Sequence, residues 1–351
     1  MEKFTSEQLS ALASAFSHFP ESSSASTVDY DTGKLINLLR EKEVLEVCNA
    51  STEQWTLVND IDIALGAVVK DLVLNNQIEL AIQEYYRLVQ RIENETSGNL
   101  YIYAKQGALS VISLYHYKKG EWDKAIDYTV ECICLNDYLI EQGMNSLCLR
   151  VYEQNKNISR VLLRAGRIEE GYQLIRNLFD YLFNGTNNGL YGSTLKHDEF
   201  WKKSFLIRET YAYEMFCMIV EDMLRFNIDA PEFLFPQEWF DPLEFEVDNI
   251  NRQVIYNYMY LLKSLKNNDF EDFVDSFIYY MSEEISVYYE IFKLSLLVET
   301  SKVLHRSGTG EKLDALSKVN DFISEKLKTS QKLNEFALNL YINGSLTPHL
   351  N

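Results

Sequence analysis

Residues 108–137, ALSVISLYHYKKGEWDKAIDYTVECICLND, hold the pattern that most constrains this chain: two apolar-periodic segments on either side of Lys118-Lys119-Gly120-Glu121-Trp122. Trp122, Ala125, Ile126, Val130 and Ile133 recur at helical spacings, and Gly120 supplies the permissive backbone a helix takes just past its end. Two helices joined there fold back on each other. The arrangement returns on both sides. Residues 56–74 pair with 77–94 across Asn75-Asn76, where Asn tolerates the left-handed conformation expected of Gly120, and the second segment carries Ala81, Ile82, Tyr85 and Leu88. Residues 145–165 pair with 167–183 across Gly166, with Ile168, Gly171, Tyr172 and Ile175 in the corresponding places. Ala81, Ala125 and Gly171 stand 44 and then 46 residues apart, a spacing within the range of helical repeats. A small residue at that point lets two helices approach closely.

The chain is read as an all-α protein. Five prolines, none between Pro20 and Pro231, leave about two hundred residues without an obligate helix breaker. With 46% hydrophobic residues, 23 Tyr and 19 Phe, there is enough apolar material for a continuous core, which excludes wholesale disorder. The net charge of -19 repels nucleic-acid phosphates and anionic membranes, and no stretch approaches eighteen consecutive apolar residues. Neither nucleic acid nor membrane is therefore an expected partner. The N-terminus, MEKFTSEQLSALASAF, lacks a basic region followed by an apolar run, so the expected location is cytoplasmic. The cysteines, Cys48, Cys132, Cys134, Cys148 and Cys217, are odd in number and irregular in spacing, as small core residues would be.

Three regions follow. Residues 1–32 hold a short amphipathic helix, capped by Thr5 and Gln8 and read as a detachable end, followed by a flexible Ser/Asp/Pro linker at 20–32. Residues 33–183 hold the helical repeats, with Ser51 and Gln54 capping one of the helices. Residues 184–351 hold a degenerate repeat region that opens on the Gly/Asn loop 184–196 and is hinged at Asn267-Asn268-Asp269. Within it, the segment 228–248 has three Pro and seven carboxylates, which no helix interior accommodates.

GEWDKAIDYTVECICLND resembles the second half of a tetratricopeptide repeat: Gly120, Trp122, Ala125, Ile126 and Tyr128 stand where that pattern has Gly, aromatic, Ala, aliphatic and aromatic residues. NQIELAIQEYYRLV and GRIEEGYQLIRNLF are looser copies, so the resemblance covers residues 56–183, with a period longer than the family's roughly 34 residues. It implies an α-α superhelix, a solenoid of tetratricopeptide-like hairpins, that binds proteins or peptides along its concave face without catalysis. The groove-lining positions it implies fall on Lys156, Asn157, Arg160 and Arg164, joined by Ser110, Tyr117 and Lys118 in the preceding repeat and by Lys70 in the first. Residues 156, 160 and 164 share one helical face, and three cations there suit a partner's carboxylate. Pairing with neighbouring carboxylates such as Glu153 explains the same cations equally simply.

The insert suggests a second idea. Phe235, Trp239 and Phe240, with Asp241, Glu244 and Glu246, are suited to dock on that basic stripe as an autoinhibitory segment, or to cover neighbouring helices as an ordinary surface loop. Adjacent tyrosines such as Tyr85-Tyr86 and Tyr279-Tyr280 fit an aromatic groove, or one ring inward and one outward. No phosphate loop, nucleophile elbow, zinc spacing or cofactor motif is found, so neither a catalytic site nor a cofactor is expected. Two other functions fit the sequence: a regulator that changes curvature when a peptide binds, and an enzyme whose site lies unrecognised in the C-terminal half.

Overall fold

The computed structural model describes residues 4–16, 32–72, 77–185, 187–193, 205–226, 250–282 and 290–306. Among them are twelve helices and no strand: α1 (Ser6–Phe16), α2 (Thr32–Val47), α3 (Thr52–Lys70), α4 (Ile78–Glu95), α5 (Gly98–Lys118), α6 (Trp122–Glu141), α7 (Leu147–Arg164), α8 (Ile168–Asn184), α9 (Phe205–Phe226), α10 (Ile250–Asn267), α11 (Phe270–Ser282) and α12 (Glu290–Arg306). The protein is all-helical in these residues. Two compact units divide the chain, one of Tyr30–Glu209 and the other of Met1–Asp29 with Thr210–Asn351. The Asn75-Asn76 turn, the linker at 20–31 and the insert 228–248 lie outside the described residues.

In the Tyr30–Glu209 unit each helix packs on its neighbours in the chain: α3 on α4 and α5, α4 on α5, α5 on α6, α6 on α7, and α7 on α8. The turns are made as the glycines require. At the end of α5, Gly120 adopts φ 73° and the N–H of Glu121 donates to the carbonyl of His116 at 2.9 Å, closing the last turn. Gly166 repeats this after α7, with φ 76° and Arg167 N–H on Leu162 O at 2.9 Å. Ser51 and Gln54 form the reciprocal cap of α3.

Buried positions of α4, α6 and α8 fall at matching offsets. The buried residues of α4, Ala81, Tyr85, Leu88 and Ile92, recur 44 positions later in α6 as Ala125, Thr129, Cys132 and Asn136. A further 46 positions give Gly171, Ile175, Leu178 and Leu182, all buried in α8. A methyl group added at Gly171 would lie 2.8 Å from Leu163 Cδ2 and 3.3 Å from the Leu163 backbone nitrogen, so α7 and α8 approach too closely there for any other residue to fit without a shift.

In the other unit α10 packs on α11 and α12, and α1 packs on α11. The sequence marked α1 as a detachable end; its apolar face is instead covered. Phe4, Leu9 and Leu12 are buried, and Phe4 stacks on Phe270 with ring centroids 4.0 Å apart. The Thr5–Gln8 cap is formed in both directions. Between α10 and α11, Asn268 takes φ 61° and Asp269 N–H donates to Ser264 O at 2.9 Å, so an asparagine fills the place glycine holds elsewhere.

Candidate functional site

Across the first helices of the repeats, α3, α5 and α7, runs a ladder of polar side chains. Asp62, Gln106 and Arg150 are equivalent positions, each 44 residues after the last. Arg150 reaches both: one guanidinium nitrogen lies 3.6 Å from the Asp62 carboxylate and another donates to Gln106 Oε1 at 3.3 Å. One helical turn on, Gln154 Nε2 donates to Ser110 Oγ at 2.9 Å, again across 44 residues, and Asn157 Nδ2 contacts Gln154 Oε1 at 3.5 Å. The first helices thus keep an offset of 44 in both steps, whereas the second helices step by 44 and then 46.

Behind the ladder the central hairpin is polar where the preceding one is apolar. Thr129, Cys132 and Asn136 occupy the places of Tyr85, Leu88 and Ile92. Ser113 Oγ donates to Ala125 O at 2.7 Å and lies 2.7 Å from Thr129 Oγ1. The Cys132 thiol donates to Gln106 O at 3.2 Å, and Asn136 Nδ2 donates to the sulfur at 3.5 Å. Burial holds the Cys132 thiol above its ordinary range, as a donor requires, and pushes the Tyr103 phenol up to about 12, with Asp62 adding to that rise. Gln106 Nε2 and Asn136 Oδ1, both in fully buried side chains, have no hydrogen-bond partner. Such atoms cost roughly 1–3 kcal/mol each, which apolar side chains of like shape would avoid.

The cations foreseen on α7 sit beside this ladder. Lys156 has only 13% of its side chain exposed, and its ammonium lies 2.8 Å from Glu153, the local pair that the sequence also allowed. Asn157 is exposed and tied to the ladder through Gln154; Arg160 and Arg164 are partly buried. Tyr117 packs edge-to-face on Trp122 at 5.7 Å inside its own hairpin, and Lys118 is exposed at the end of α5. Because Ser110 bonds to Gln154, Tyr117 falls level with Val161, at the same end of the helices as Arg160 and Arg164. The ladder residues Asp62, Gln106, Ser110, Arg150 and Gln154 escaped the sequence reading, Ser110 apart. A constant 44-residue offset between the first helices picks them out, although the second helices change to 46 between α6 and α8.

Of the adjacent tyrosines, Tyr85 and Tyr280 are buried while Tyr86 and Tyr279 are 58% and 67% exposed, so each pair places one ring inward and one outward. Phe235, Trp239, Phe240, Asp241, Glu244 and Glu246 lie outside the described residues. Among the described residues, no helix is long and apolar enough to cross a membrane, and no three His, Cys, Asp or Glu side chains are grouped to hold a metal ion. Comparison of the chain with family models, with curated proteins and with solved structures finds no match.

Proposed function

We propose that this chain is a tetratricopeptide-like α-solenoid that serves in the cytoplasm as a non-catalytic scaffold, binding a protein or peptide along the face formed by α3, α5 and α7. The observation that carries this reading is the ladder. Polar side chains hold one register over α3, α5 and α7, where a face selected for packing alone would be apolar, and two buried polar atoms, Nε2 of the ladder's own Gln106 and Oδ1 of Asn136, remain unpartnered. Asp62, Ser110 and Arg150, each partly exposed, supply polar groups for a polypeptide lying across the helices, while the buried Gln106 and Gln154 hold the register beneath them. Arg160 and Arg164, with Lys118 at the same end, supply the positive charge that takes the partner's carboxylate, and Asn157 and Tyr117 add neutral hydrogen-bond donors beside them. Lys156 joins them through the electrostatic field while its ammonium stays with Glu153.

The test uses the full chain and an array of peptides synthesised with either a free or an amidated C-terminus. Free-acid peptides are expected to bind better. The double substitution Arg160→Glu with Arg164→Glu should weaken the free-acid set by about tenfold or more, given roughly 1.5–3 kcal/mol for hydrogen bonds to charged groups. Equal binding of both peptide forms, or binding undiminished by the double substitution, counts against the reading.

A further inference from the structure

The segment 187–193, after α8, lies on a cradle one step round α7 from the ladder. Asn155, fully buried, uses its carboxamide on both backbone groups of one residue: Oδ1 accepts the Tyr191 N–H at 2.8 Å and Nδ2 donates to Tyr191 O at 2.9 Å. This is the pair of bonds a neighbouring β-strand would offer. A third bond, from Nδ2 to Val151 O at 2.9 Å, fixes the amide in place. Two residues on, the Asp137 carboxylate accepts from Ser193 N–H at 2.6 Å and from Ser193 Oγ at 3.1 Å. Between them Gly192 has φ 103°, and a Cβ there would lie 3.0 Å from Val151 Cγ1 and 3.1 Å from Ile133 Cγ2. Tyr191 itself is 39% exposed. The cradle therefore grips both backbone groups of one residue, demands glycine at the next and hydrogen-bonds serine at the third, while it tolerates variety in the first side chain.

We propose that this cradle, formed by Ile133 and Asp137 of α6 with Val151 and Asn155 of α7, is a docking site for a peptide carrying a Gly-Ser sequence that turns at the glycine, and that Tyr191-Gly192-Ser193 fills it in the absence of such a partner. A buried carboxamide stripped of these two bonds would leave a donor and an acceptor desolvated, so the cradle favours having polypeptide in it. A strap tethered a few residues from α8 competes at millimolar effective concentration, so an incoming segment must outbid it, and weakening the strap opens the site. The proposal stands apart from the cation face, since neither Arg160 nor Arg164 takes part in the cradle.

The experiment titrates a fluorescent peptide of residues 187–193, NNGLYGS, into full-length wild type and into Gly192→Val, whose strap cannot seat. The substituted protein is expected to bind with an apparent Kd about tenfold below that of wild type, as removal of a tethered competitor gives. Binding should vanish when Asn155→Ala is added, or when the peptide itself carries valine for glycine. Equal affinity of the two proteins, or no binding to either, overturns the proposal, as does a strap-exchanged dimer seen by light scattering, which would make a second copy the occupant. Should Gly192→Val fail to fold, amide exchange decides the matter in wild type: saturating peptide should accelerate exchange at Tyr191 and Ser193, and unchanged rates overturn the docking site.

Discussion

In the Tyr30–Glu209 unit a helix buries its apolar face mainly against the helices before and after it in the chain, so the core is assembled from local pieces. In the other unit α1 meets α11, more than two hundred and fifty residues later, and contributes Phe4, Leu9 and Leu12 to a core it shares with Phe270 and Phe273. The first arrangement spreads stability over many similar contacts. The second adds to its neighbouring contacts a non-local one, whose chain-closure entropy must be met before it gives any return. Damage should accordingly stay local in the first unit and spread through the second.

The largest effect expected is at that non-local contact. Phe273 is fully buried, with Phe4 at 6.3 Å on one side and Phe277 stacked at 5.0 Å on the other. Phe273→Ala should cost about 3–5 kcal/mol. Native-state hydrogen exchange in urea should show the loss across α1, α10 and α11 together, with α5 to α8 unchanged. Equal loss of protection in α5 to α8 would break the distinction between the two units.

Two glycines inside helices sharpen the same comparison from the other side. At Gly171, Ala places its methyl against Leu163, and overpacking of this kind costs about 1–3 kcal/mol. Because α8 neighbours α7 alone among the packed pairs named above, exchange should rise in those two helices and little beyond. At Gly66, in the middle of α3, an added methyl group would meet nothing within 4 Å, so Gly66→Ala should raise stability by about 0.5–1 kcal/mol through helix propensity. A urea midpoint that moved the same way for both substitutions would contradict the packing described at Gly171.

These contrasts also explain what the sequence disclosed. Gly120 and Gly166 announce helix ends because the left-handed residue is a local demand, and Asn268 announces the α10–α11 turn for the same reason. The partner of α1 was not legible: Leu9 and Leu12 show that the helix has an apolar face, and nothing in a periodicity says which distant helix covers it. At the candidate site the cations of α7 stood out as charge on one helical face. The ladder as a whole did not, Ser110 apart, because Gln106 is uncharged and lies in an apolar stretch. The strap read as an interruption, since the residues that hold it, Asn155 and Asp137, are 36 and 56 positions away.

The smallest effect tests a long tie in the locally built unit. Glu43 of α2 reaches across 103 residues to the start of α7, where its carboxylate accepts the Ser146 N–H at 3.1 Å and also the Ser146 hydroxyl. Burial raises the Glu43 pKa above its ordinary value, while the Ser146 bonds and Arg40 pull the other way. Between the unfolded and the raised folded value, the folded chain holds a proton that the unfolded chain has released. Stability from this group is therefore complete below the ordinary carboxyl value and declines as pH rises through the folded one. Glu43→Gln keeps an acceptor for Ser146 but cannot titrate, so its urea midpoint should lack that decline; the wild-type midpoint should fall relative to it as pH rises above about 4.5. A wild-type midpoint that instead rose against the substituted protein over this range would mean that the helix-start bonds outweigh burial, and that α2 is fastened to α7 by charge.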